Sequence, residues 1–373
     1  MRIDLFLPPS NKYGALAHMT KCFCDALNME GAICRVLEPN SSDPKQFLHT
    51  LLSDKPDFTL SFNGLLPDDS GRFLCDMVKI PHVCLLVQPP LHFTRLTQSP
   101  YNIIACSDRW TEELFQETGF SNTFFLPHAA EASLLTPPKS ARSFDVTMLA
   151  SCIDYEEIYE KLMREYPKRW RLAFEQTIEV LFQNGGGNYF NIFMSQIGDP
   201  KEATAEGVNL LLALDALQQY VCGRDRVRLI RSLKGIKIDI FGSGDWKKYV
   251  GGQENVVIHD SVPFADGLEI LKQSKIALNS SFWVTNGGHE RIFAATLAGA
   301  AVVTASNPFL SAFDTFIYYD KEENVNQAVQ ELLDDEEKRI LSVKQAQAVA
   351  LEAHTWESRA KLLLHELSRF IPA

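Results

Sequence analysis

The 373-residue chain has no apolar run approaching the length of a transmembrane helix, no low-complexity tract and no internal repeat. Its short apolar start, MRIDLFLPPS, leads straight into a folded pattern and reads as a strand, not a signal peptide. The eight cysteines (22, 24, 34, 75, 84, 106, 152 and 222) are scattered. Cys22-x-Cys24 is too close for a usual zinc pair, and no His/Cys spacing completes it, so no metal site is expected. Several cysteines sit in apolar runs, Cys84 in VCLLV and Cys106 in IIAC. They read as buried thiols in a reducing compartment, the cytoplasm. Basic charge is in the minority: 36 Lys and Arg stand against 47 Asp and Glu, for a net charge of -11. That balance argues against nucleic acid and anionic membrane as main partners.

What is present suits two domains. Short apolar segments alternate with helical ones from Arg2 to about Leu126, which predicts a parallel, doubly wound α/β sheet. Its ligand crevice belongs beyond the strand ends, at SNKYG, Asn63-Gly64, Gln88-Pro89 and Ser107-Asp108. Residues 129–142, with Pro137-Pro138, read as a hinge between an N-terminal domain of 1–135 and a C-terminal domain of 140–354. Within the second, residues 155–234 are nearly all helical in pattern, broken at NGGGN and GDP, and read as an insertion standing apart from the sheet.

One stretch, Ser274–Thr304, reads as strand, glycine loop, helix and strand. Asn286, Gly287 and Gly288 allow close backbone approach to a ligand, and the helix N-terminus behind them favours negative charge. His289, Glu290 and Arg291 crowd that N-terminus. The combination is suited to the diphosphate of a nucleotide sugar. A second glycine turn, Gly242-Ser243-Gly244, lies at a preceding strand end, with Lys247 following as a possible phosphate partner.

The order DIFGSGDW, SKIALNSSF, GGHERIFAATLAGAAVVT and AHTWESRAKLLLHEL resembles the GT-B glycosyltransferases, and more narrowly the CgeB-like (spore-coat glycosyl transferase-like) group. SDRWTEELFQETGFSNTFFLPHAA is similar to the family's segment leading into its hinge. The resemblance implies an α/β GT-B fold: two facing Rossmann-like domains, with the final helix (355–373) packed back on the first. It also implies a nucleotide-diphosphate sugar donor, with UDP as the expected carrier, and no cofactor or essential metal. Gly242 and Gly244 would then line the base or phosphate side. Gly287, Gly288 and His289 would meet the diphosphate, and Glu290 and Arg291 the ribose, sugar or phosphate. Many members carry two glutamates eight positions apart here; this chain has Asn286 and Ala294.

On the acceptor side, His18 follows the first loop by about one helical turn, where an inverting transferase needs a general base. Asn63, Gln88 and Asp108 are further acceptor-side candidates. The runs REYPKRWR and RDRVRLIRSLK read as solvated helix faces, with an acidic acceptor or anionic surface as the alternative. The expected activity is transfer of a sugar to an unidentified acceptor. A non-catalytic GT-B scaffold binding a protein through the insertion, and a nucleotide-sugar epimerase, remain open.

Overall fold

The computed structural model describes residues 1–8, 13–39, 43–137, 140–199, 201–202, 205–322 and 324–370. The chain divides into two compact units. Unit 1 is Met1–Ser133 with Pro263–Asp266 and Ala350–Ala373, and unit 2 is Leu134–Val262 with Gly267–Val349. The expected loop SNKYG, the Pro137-Pro138 step and the GDP break fall partly outside the described residues, at 10–12, 138 and 200.

Unit 1 alternates β1 (Arg2–Phe6), α1 (Ala15–Met29), β2 (Ile33–Leu37), α2 (Pro44–Ser53), β3 (Phe58–Phe62), α3 (Leu74–Val78), β4 (His82–Leu86), β5 (Asn102–Cys106), α4 (Arg109–Glu117) and β6 (Thr123–Phe125). All strands pair in parallel in the order β2-β1-β3-β4-β5-β6. β3, β4 and β5 are buried along their whole length, as central strands of a parallel sheet covered on both faces must be. The sequence pattern predicts a helix from Gly71 to Val78, but α3 starts at Leu74, because Gly71 takes φ +77° and Phe73 is extended.

Unit 2 opens with β7 (Phe144–Leu149). Helices α5 (Tyr155–Glu165), α6 (Lys168–Gln183), α7 (Tyr189–Ile197) and α8 (Leu210–Ser232) follow. Then come β8 (Ile238–Phe241), α9 (Trp246–Val250), β9 (Val256–His259), α10 (Phe264–Lys272), β10 (Ser274–Asn279), α11 (Glu290–Leu297), β11 (Ala301–Thr304), β12 (Ile317–Tyr318), α12 (Val325–Asp334) and α13 (Glu336–Ala353). The sheet order is β12-β11-β10-β7-β8-β9, all parallel. Counted from β7, this is the dinucleotide-binding order 3-2-1-4-5-6 read across the sheet.

The helical region does not stand apart from this sheet. Val227, Leu229 and Ile230 at the end of α8, with Leu233, share one buried cluster with Val146, Ile238, Ile240 and Ile276. The run RDRVRLIRSLK is not a solvated face either. Arg228 donates to the buried Asp225 at 3.1 Å, Arg231 to the Tyr249 carbonyl at 2.8 Å, and Arg224 to the Tyr220 hydroxyl at 3.1 Å. Asp225 in turn accepts from Ser280 and Tyr319, tying α8 to the ends of β10 and β12. In the other run, Arg169 donates to the Ile197 carbonyl at 2.7 Å. These residues hold the unit together internally.

The last helix, α14 (Trp356–Leu367), returns to unit 1. Trp356, Ala360, Leu363 and Leu367 recur at helical spacing and are all buried, with Trp356 tilted against Phe23 at 5.4 Å. Arg359 fixes its start by donating to the Pro127 and His128 carbonyls at 2.6 Å and 3.1 Å.

Unit 1 encloses two histidines that must stay neutral. His82 is bonded by Thr59 and Ser61 hydroxyls, each at 2.8 Å, and burial drives its pKa down to about 3. His354 accepts from Arg359 at 2.8 Å, and burial, then the adjacent guanidinium, lower it to about 3. In the unfolded chain both titrate near 6.5, so unfolding takes up protons below that pH. Stability is therefore complete above the unfolded pKa and is lost as pH falls toward the folded one. The two sites together remove about 2–3 kcal/mol between roughly pH 7.5 and pH 5.5. Urea midpoints across that range measure it, and His82→Gln should roughly halve the slope. A midpoint flat with pH would contradict the neutral assignment.

Candidate functional site

Strand order locates the crevice of unit 2. The chain leaves β7 toward β8 and β9, then returns to the other side of β7 for β10, β11 and β12. Ligands of such sheets bind where the order reverses, beyond the carboxyl ends of the strands, here β7 and β10. The turn after β7 is Ala150-Ser151-Cys152, and the connection after β10 leads into the N-terminus of α11.

The β7 turn is held from three sides. Arg291, in the first turn of α11, donates Nη1 to the Leu149 carbonyl, and Arg226 of α8 donates Nη1 to the Ser151 carbonyl at 2.6 Å. Between them the Ala150 carbonyl accepts from Trp246 Nε1 at 3.2 Å. The Ser151 and Ser243 hydroxyls lie 3.1 Å apart. Two arginines thus converge on one turn, and their repulsion contributes to lowering the Arg291 pKa after desolvation, the larger cause. The Nε atoms of Arg226 and Arg291 are both buried without a protein partner.

His289 caps α11. Its Nδ1 lies 2.5 Å from Glu290 Oε2, and its Nε2 lies 3.3 Å from Arg291 Nη2. A neutral ring protonated on Nδ1 donates to Glu290 and accepts from Arg291 Nη2, and forgoes the longer 3.4 Å approach of the Arg291 N–H to Nδ1. Burial and the neighbouring guanidinium push the His289 pKa down, which favours that neutral form. The trio predicted from sequence is therefore a relay, from Glu290 through His289 and Arg291 to the end of β7.

The glycines have a packing role that the sequence reading did not assign. A Cβ on Gly242 would collide with the Ala150 carbonyl oxygen, and one on Gly244, at φ +91°, would sit 2.9 Å from Cys152 Cβ. Both are required by close packing of the β8 turn on the β7 turn. A Cβ on Gly288 would stand 2.5 Å from Phe293 Cζ, so this position is packed too tightly against α11 for a side chain. Gly288→Val would consequently disturb the fold first. The Gly287 carbonyl accepts from Asn307 at 2.9 Å, while Asn286 is half-buried and Lys247 exposed. Lys248 is paired with Asp154 at 2.7 Å.

In unit 1, Asn63 and Asp108 carry structural bonds. Asn63 adopts φ 63° and accepts from Val87 N at 3.1 Å, joining the ends of β3 and β4. Asp108 caps α4 by accepting from Trp110 N at 2.8 Å. Gln88 is exposed. His18, on the first turn of α1, meets Glu131, whose Oε1 lies 2.5 Å from its Nε2. Bonding to Cys22 and Glu131 raises the His18 pKa to about 10. At neutral pH the ring is then an imidazolium, which is not poised to take a proton from an acceptor hydroxyl. Cys24 is buried in the core, so it is His18, not Cys24, that accompanies Cys22.

The profile of a family described as glycosyl transferase-like matches residues 224–365. No curated protein matches the sequence. Among solved structures, Anabaena HepE in complex with UDP is 12% identical over 99% of this chain and 100% of its own, with a TM-score of 0.54. AviGT4, a glycosyltransferase involved in avilamycin A biosynthesis, is 12% identical over 99% of this chain and 97% of its own, with a TM-score of 0.54. A DNA-modifying β-glucosyltransferase, solved in the presence and absence of uridine diphosphoglucose, is 10% identical over 99% and 100% of the two chains, with a TM-score of 0.57. The fold is GT-B.

Several residues that organise these two clusters, one within each unit, have no signature in sequence. Arg226 lies in a helix rich in arginine, and nothing local singles it out from Arg224 or Arg228. Ser151 follows a strand without a glycine motif. Glu131 stands 113 positions from His18. Cys22 was separable only by its helical spacing of four from His18. No helix among the described residues is long and apolar enough to cross a membrane.

Proposed function

We propose that the chain is a glycosyltransferase that takes a sugar from a nucleotide-diphosphate donor, UDP-linked, and passes it to an acceptor hydroxyl. The observation that carries this reading is the meeting of Arg226, Arg291 and the α11 N-terminus at the strand-order reversal of unit 2. A departing diphosphate gains negative charge as the glycosidic bond breaks. Fixed cations and a helix N-terminus stabilise it without reorganisation, and in a low-dielectric setting. Those charges supply what a divalent ion would otherwise supply at the phosphates, so donor binding is read as metal-independent and cofactor-free. Glu290, oriented by His289, is the group offered to the ribose or sugar hydroxyls. The resemblance of GGHERIFAATLAGAAVVT to the CgeB-like group supports the narrower reading, and eight cysteines without a disulfide, five of them buried, support a cytoplasmic site of action.

A scaffold reading draws on one further observation. Leu172 of α6 and Leu211 and Leu212 of α8 are exposed at 52%, 40% and 61%, apolar side chains that a protein partner would cover. A thermal-shift series separates the two readings. UDP should stabilise the protein by about 2.7 kcal/mol at a hundred times its Kd, with uridine giving far less at the same concentration. No stabilisation by any nucleoside diphosphate would remove the transferase reading. A UDP-sugar consumed without any acceptor, giving an isomeric sugar, would point to epimerisation.

A further inference from the structure

We infer that His18, Cys22 and Glu131 form a binding site for a divalent transition-metal ion of the zinc class in unit 1. The nitrogen, sulfur and oxygen ligand atoms of the three side chains all lie within 4.8 Å of one another, the one such grouping among the described residues. The site is independent of the donor reading, which concerns unit 2.

The arrangement follows from the chain. His18 and Cys22 are four apart on α1, so they stand on one face, a turn from each other. Met19, Thr20 and Phe23 bury the opposite side of that helix in the core, which makes α1 a rigid platform for both ligands. Glu131 arrives from the segment after β6. Its second oxygen accepts from the Ser133 hydroxyl at 3.5 Å, and the Phe264 ring lies 5.3 Å from the imidazole as an apolar wall. Outer contacts of this kind fix ligand orientation in metal sites.

The donor set chooses the ion. Imidazole, thiolate and carboxylate suit a borderline ion such as Zn²⁺ or Co²⁺, whereas Mg²⁺ and Ca²⁺ require oxygen donors throughout. Zinc bond lengths imply ligand separations of about 3.3–3.6 Å in a tetrahedron. The 2.5 Å approach of His18 Nε2 to Glu131 Oε1 must open to reach them, which rotation of the glutamate side chain supplies. The His18 and Glu131 side chains keep 30% and 25% exposure, so an ion can enter and retain a solvent-facing fourth position. On binding, the ion takes the place of the proton between His18 and Glu131 and of the thiol proton of Cys22, and both protons leave to solvent.

The experiment is cobalt titration of the full chain after chelator treatment. A single Co²⁺ per chain should bind, with a near-ultraviolet thiolate-to-cobalt band and the visible absorption of a four-coordinate ion, and Zn²⁺ should displace it. Cys22→Ser should lose the near-ultraviolet band, and Cys24→Ser should keep it. His18→Ala and Glu131→Gln should each weaken cobalt binding at least tenfold, with circular dichroism confirming that the variants fold. Failure to bind cobalt, an absent thiolate band, or a Cys22→Ser spectrum equal to wild type would each overturn the assignment. In that event the trio is a hydrogen-bonded group only. UDP binding is read separately, so loss of this proposal leaves the donor proposal intact.

Discussion

Gly242→Ala should unfold unit 2 or force β7 and β8 apart, lowering stability by about 3 kcal/mol or more. The added Cβ would lie 2.5 Å from the Ala150 carbonyl carbon and closer still to its oxygen. Neither atom can yield. Ala150 N donates to the Phe241 carbonyl at 3.1 Å, Cys152 N donates to the Ser243 carbonyl at 2.7 Å, and the Ala150 carbonyl is itself bonded to Trp246. Backbone on both sides is thus pinned by the ladder that continues beyond the strands. Relief requires breaking those bonds, and a carbonyl buried without its partner costs about 1–3 kcal/mol by itself. Gly252→Ala is the matched control, because a Cβ there meets nothing within 4 Å. Thermal denaturation of the two variants gives the comparison. Equal midpoints would show that the β7 and β8 turns are not packed as described.

This expectation also shows where the sequence was legible and where it was not. Strand and helix alternation, the parallel sheets and the β10–α11–β11 unit were readable because each rests on local periodicity and turn chemistry. The meaning of Gly242 and Gly288 was not. A glycine can be required by a ligand, by a positive φ or by a neighbour, and sequence does not distinguish the three. The neighbours proved to be Ala150 and Phe293, far along the chain or across a helical turn. The arginines of α8 were misjudged for a related reason. Their charge pattern resembles a solvated face, yet their partners are carbonyls at Ser151 and Tyr249, contacts that only the fold creates. His18 was found as a residue of interest, but its proton affinity depends on Glu131, which no local pattern ties to it.

Arg226→Ala and Arg291→Ala should each weaken UDP binding at least tenfold, about 1.4 kcal/mol, while changing uridine binding much less. Arg226 lies close enough to Arg291 to disfavour the Arg291 charge, and each holds a carbonyl of the β7 turn. In the unliganded protein, removing one relieves that repulsion and offsets part of the cost of the lost carbonyl bond. Stability should therefore fall modestly. With a diphosphate bound, the repulsion is already neutralised, so the same substitution removes attraction and recovers nothing. Affinity should consequently suffer more than stability. The effects of the two substitutions on affinity should also be non-additive, since both groups act on one anion. Arg291→Lys retains the charge but cannot reach the Leu149 carbonyl and His289 together, and should give an intermediate loss. Arg164→Ala, at a side chain 69% exposed, is the control expected to change neither quantity. Calorimetric titration of UDP and uridine against wild type, these four variants and the Arg226→Ala/Arg291→Ala double variant provides the test. Equal losses for the two ligands, or a fall in stability with UDP affinity unchanged, would mean that the arginines brace the β7 turn and do not serve a diphosphate.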